Sequence, residues 1–101
     1  MSHHALNVVD MIVWMKKISS GLHFVPETTY IALNFYDRYM SENRVVVKRQ
    51  IRLLALTCVF MAGKIHEELC EPLIKEMFAF TKPGEYNPND IKVCLYVLFS
   101  Y

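Results

Sequence analysis

The groups most able to do chemistry in this sequence are the consecutive His66, Glu67 and Glu68 and the three cysteines Cys58, Cys70 and Cys94. A histidine beside two carboxylates could activate a water or hold zinc, but a zinc hydrolase needs a second histidine at helical spacing, and none follows. The cysteines are odd in number and form no Cys-x-x-Cys pair, so neither a disulfide framework nor a thiolate zinc site is expected. They read as small core residues in a reducing compartment. The three glycines are isolated, which removes a phosphate-cradling loop. His3 and His4 stand at a terminus and His23 in a break between helices, so all three are expected to be solvated or locally bonded. Met11, Met15, Met40, Met61 and Met77 fall at helical positions, where methionine fills irregular gaps in a core. No nucleophile with its base and no carboxylate pair is recognisable. The expectation is a non-enzymatic binding module with no metal, no cofactor and no small-molecule substrate.

Any surface this chain offers must be held by its scaffold, and composition limits what that scaffold is. At 101 residues, 53% hydrophobic and 21% charged, the chain can bury one core and is too apolar for disorder. Eleven basic and ten acidic residues are scattered along it, so no electrostatic footprint for nucleic acid or anionic lipid is expected. The longest uncharged stretch, residues 53–63, is well short of the roughly 18 to 20 residues that span a bilayer. The N-terminus has no basic segment followed by an apolar one, and an intracellular protein is expected.

Punctuation divides the sequence into five apolar segments of helical length. The first covers residues 5–18, with Trp14 near its centre, and Ser19-Ser20-Gly21 ends it, Gly21 being suited to the left-handed C-terminal position. Pro26 suits a first turn and opens a second helix to about Met40, with Ala32 allowing another helix to approach closely. The third runs from Lys48 to His66. Between Leu53 and Gly63 only Thr57 is polar, so this helix needs partners all round and is expected at the centre of the bundle. Pro72 opens a short fourth helix to about Phe80, and Thr81-Lys82-Pro83-Gly84 breaks it. Asn87, with Pro88 behind it and Asp90 three residues on, starts the fifth, since its side chain can accept a first-turn N–H. The predicted class is all-α, a five-helix bundle around a buried third helix.

Two stretches carry a resemblance. Residues 26–41 read Pro-Glu-Thr-Thr-Tyr-Ile-Ala-Leu-Asn-Phe-Tyr-Asp-Arg-Tyr-Met-Ser, which resembles the second helix of a cyclin box: Glu-Thr, an Ala, an Asn, then Asp-Arg-aromatic. Trp14 precedes Glu27 by the family's interval. Residues 54–65 resemble the third cyclin helix, with its small-small-Lys-apolar ending followed by acidic residues. The resemblance covers nearly the whole chain and identifies it as a single domain, residues 1–101, similar to the N-terminal cyclin box with the second box absent. It implies a cell-cycle and cell-division regulator that binds and activates a cyclin-dependent protein kinase. Lys64, Ile65, Leu95 and Phe99 would form the kinase interface, and Trp14, Glu27, Asp37 and Arg38 the structural motif.

The likeness departs at three points. The family's helix-one arginine, which pairs with the aspartate of Asp-Arg-aromatic, falls on Val8, so Asp37 needs another partner or solvent. The family's helix-five glutamate, which cooperates with the lysine, falls on Leu95. The substrate-docking sequence ahead of the tryptophan reads Asn7-Val8-Val9-Asp10-Met11, so that docking is not implied. Two alternatives stay open: a scaffold or transcription-factor-type module of the same fold, and an inactive truncated cyclin.

Overall fold

A computed structural model of the chain describes residues 3–42, 48–67 and 74–99; the side chains of residues 3–9, 42, 48–49, 74–75 and 97–99 lie outside the description. The elements are α1 (His3–Gly21), α2 (Pro26–Glu42), α3 (Lys48–His66), α4 (Ile74–Met77) continued by a 3-10 turn (Phe78–Phe80), and α5 (Pro88–Phe99). The class is all-α. Of the expected fourth helix, the described residues show one α-turn and the 3-10 turn, beside four long helices. Pro72, the expected opening of that helix, lies outside the described residues.

Burial follows the helical period on each outer helix. Met11, Met15 and Ile18 form the inward stripe of α1, and Thr28, Ala32 and Tyr36 that of α2. Ala32 is only 1% exposed, the small residue that lets α3 lie close against α2. On α3 the stripe widens until every residue from 54 to 63 is buried, because α1, α2, α4 and α5 all pack on it. Filling the surroundings of a helix in this way is what an all-apolar stretch requires. On α5, Ile91 is buried and Cys94 and Leu95 pack half-buried against the core.

The helix ends show one expectation met and one overturned. Asn87 Oδ1 accepts the N–H of Asp90 at 3.0 Å while Asp90 Oδ2 accepts that of Asn87 at 2.9 Å, a reciprocal cap at the start of α5. Gly21, by contrast, does not take the left-handed position; His23 does, with φ 62°. The N–H groups of His23 and Phe24 reach back to the carbonyls of Ser20 and Ser19 at 3.0 and 2.9 Å, which closes α1 two residues later than predicted. Gly21 serves close approach instead, because a Cβ there would collide with the ring of Phe80.

Candidate partner-binding site

The last turn of α3 emerges from the core abruptly. Gly63 is buried, whereas Lys64, Ile65 and His66 are exposed, and Ile65 is 63% exposed despite being fully apolar. Lys64 and His66 lie in the last turn, where cations oppose the negative end of the helix dipole. The Lys64 ammonium stands 5.9 Å from the centroid of the Phe60 ring, at the edge of cation–π range.

A hydrogen-bonded lock holds this turn to α2. Thr28 is fully buried, and its hydroxyl donates to Glu67 Oε2. The same carboxylate oxygen accepts the N–H of Val25 at 3.0 Å, so it sits where the dipole of α2 favours a negative charge. The Thr28 oxygen is also 2.8 Å from His66 Nδ1. A hydroxyl has one proton; with it on the Glu67 bond, Nδ1 of His66 must be the donor to Thr28. The backbone carrying Lys64 and Ile65 is therefore tied to α2 through the two residues that follow them, although both are exposed. His66 and Glu67 thus tie the end of α3 to α2; Glu68 lies outside the described residues. Among those residues no cluster of His, Cys, Asp or Glu could hold a metal ion.

Of the other residues expected at the interface, Leu95 is half-buried and packs against the core. Phe99 ends α5, with its side chain outside the description. Among the described side chains of α5, the exposed large apolar residues are Val93 and Tyr96, 54% and 79% exposed, neither of them expected at the interface. Their spacing of three places them on one face of α5. Cys58 is buried and Cys94 half-buried; burial pushes both thiols up, away from the reactive thiolate. Cys70 is outside the described residues.

The motif residues are placed separately. Glu27 is exposed in the first turn of α2, and Asp37 and Arg38 are exposed on the same helix. Asp37 is exposed, and the side chain of Val8 lies outside the description. Trp14 is half-buried, its indole N–H donating to the Phe80 carbonyl at 3.3 Å. The Arg52 guanidinium lies 4.2 Å from the Trp14 ring centroid and forks onto Glu85, with Nε to Oε2 at 2.6 Å and Nη2 to Oε1 at 3.2 Å. A tight turn delivers Glu85: its N–H donates to the Lys82 carbonyl at 3.0 Å, and Gly84 has φ +76°. Pro followed by a glycine at positive φ is the type II signature. The Arg52 bond first, and then the N–H of Lys82, hold the Glu85 carboxyl below its ordinary value against the opposing effect of burial.

This arrangement, an all-helical bundle around a central buried helix, belongs to a known class. Residues 7–99 match the family described as cyclin, N-terminal domain, and the chain belongs to the cyclin family. It is similar to Cyclin-A1-4 of Oryza sativa subsp. japonica, 36% identical over 80% of this chain and 22% of the relative. It is also similar to two proteins of Saccharomyces cerevisiae. G2/mitotic-specific cyclin-1 is 38% identical over 82% of this chain and 17% of its own length. S-phase entry cyclin-6 is 37% identical over 89% and 23%. The chain thus spans about a fifth of the length of these relatives. No solved structure matches it.

Proposed function

We propose that the chain is a regulatory subunit, not itself an enzyme, that binds and activates a cyclin-dependent protein kinase through the exposed end of α3 and the adjoining α5. Family membership supports the regulatory role. The observation that carries the surface is the pairing of exposed Lys64 with an Ile65 that is 63% exposed, on a turn anchored by Thr28 and Glu67. A cation beside an apolar side chain on fixed backbone suits a partner helix that offers both an acceptor and an apolar face. Leu95 and Phe99 of α5 extend the surface by resemblance, and exposed Val93 and Tyr96 enlarge its apolar part. The reading places the chain inside the cell, in nucleus or cytoplasm, with residues 7–99 as an N-terminal box.

Activation on this reading is a population shift. The chain drives the kinase toward its active conformation only by as much as it binds that conformation better than the inactive one. Pull-down with a panel of cyclin-dependent kinases, wild type against Lys64→Glu, tests it. Wild type captures at least one kinase and the variant loses it. If neither captures any kinase the proposal fails. Capture without a rise in kinase activity supports a scaffold instead.

A further inference from the structure

The seam between α1 and α2 opens on the surface as two hollows that meet at Leu33. The first, about 310 Å³, is edged by Lys16, Pro26 and Tyr30, and the second, about 340 Å³, by Ile12, Asp37 and Met40. Of the described lining residues, Lys16 is the charged one in the first hollow and Asp37 the charged one in the second. Tyr30 and Asp37 are seven residues apart on α2, so about two turns, roughly 10 Å, separate the cationic end of the seam from its anionic end. The surface between the charges is apolar and uneven. Tyr30 is 66% and Val13 59% exposed, whereas Ile12, Leu33 and Met40 are half-buried. Val13 stands three residues before Lys16 and shares its face of α1.

We propose that this face binds a second copy of the chain, in a two-fold pair whose axis passes over Leu33. A surface that is cationic at one end, anionic at the other and apolar between is complementary to its own reversed copy. The two-fold sets Lys16 of each copy against Asp37 of the other, so the same charge pair is made twice. The same reversal offers the hollows of one copy to Val13 and Tyr30 of the other. A ligand of a single charge, such as an acidic peptide or a phosphate chain, would gain at one end of the seam and lose at the other. Two helices about 10 Å across, over the roughly 20 Å from Pro26 to Met40, present about 400 Å² per copy, which is small for a specific interface. The pair is therefore expected to be weak and reversible. Lys64 and Ile65 take no part in it, so the inference does not rest on the kinase reading.

Sedimentation equilibrium of the 101-residue chain across about 1 to 300 micromolar tests it, with a monomer–dimer equilibrium in the micromolar range expected. Lys16→Glu and Asp37→Lys each set like charges against one another at both contacts, and each is expected to weaken self-association about tenfold or more. Both positions are exposed, and an unchanged melting temperature confirms that the variants are folded. The deciding arm is an equimolar mixture of the two variants. In a mixed pair the introduced glutamate faces the introduced lysine, while the native Lys16 and Asp37 face each other. The mixture is therefore expected to regain association close to that of wild type, which neither general apolar adhesion nor a folding defect would produce. A chain that stays monomeric throughout, variants that self-associate as wild type does, or a mixture no tighter than either variant alone overturns the proposal.

Discussion

Arg52 and Lys64 stand near opposite ends of α3, about 18 Å apart along the axis, and the chain uses their charges in opposite ways. Arg52 is turned inward, stacked on Trp14 and forked onto Glu85, with side chains 24% and 17% exposed in the ion pair. Lys64 faces solvent, and what is fixed there is the backbone beneath it, through Thr28 and Glu67. Partial desolvation makes a charge pair costly to break, whereas a charge that faces solvent contributes little to folding. The difference divides α3 into an end that holds α1 and the 82–87 segment in place and an end that is presented outward.

The sharpest way to break that contrast is Arg52→Ala. It removes the cation–π stack and leaves the Glu85 carboxylate without its main partner, at an expected cost of about 2 to 4 kcal/mol. Chemical denaturation with the midpoint and slope both recorded checks this. A loss below about 1 kcal/mol would mean that the pair is a surface pair in energetic terms.

Acid should weaken the same end. The Glu85 carboxyl is held below the ordinary value of 4.5 by Arg52, so its contribution is complete above that value and disappears as pH falls through the lower folded-state value. Melting temperature is expected to fall more steeply below about pH 4.5 in wild type than in Glu85→Gln, with the gap between them narrowing as pH drops. Parallel curves would show that Glu85 has the same affinity for its proton in both states.

At the other end, Thr28→Val keeps the shape and deletes the hydroxyl, with an expected cost of about 1 to 2 kcal/mol because a buried bond to a carboxylate is lost. The same variant releases His66 Nδ1 from its donor role. Nitrogen chemical shifts of the ring should then move toward the form protonated at Nε2, which an unrelated loss of stability would not produce.

Much of the division within α3 was legible from sequence, for identifiable reasons. Helix boundaries set by proline and asparagine are local chemistry, and Pro26, Lys48, His66 and Pro88 fall where they were expected. The burial of residues 54–63 follows from an uncharged run long enough to be helical. The two locks were not legible, because Thr28 meets Glu67 across 39 positions and Arg52 meets Glu85 across 33. The turn at Pro83 and Gly84 was visible as a breaker, but nothing local says that it aims Glu85 at Arg52. Gly21 shows the same limit: its composition suggested a left-handed cap, and the ring of Phe80, far along the chain, decided otherwise. Of the proposed interface, Lys64 and Ile65 were found through the resemblance, while the exposure of Val93 and Tyr96 depends on which face α5 turns to α3.

The smallest expected effect is the most telling, because it separates the two ends on a single scale. Lys64→Glu replaces an exposed cation in the last turn of α3 by an anion, which opposes the dipole and forfeits the weak approach to Phe60. Together these are expected to cost no more than about 1 kcal/mol. The same substitution inverts the charge next to Ile65, so loss of kinase capture with the melting temperature nearly unchanged would mark this end as a binding surface. A destabilisation as large as that of Arg52→Ala would instead make Lys64 part of the scaffold, and any loss of capture would then follow from unfolding rather than from a missing contact.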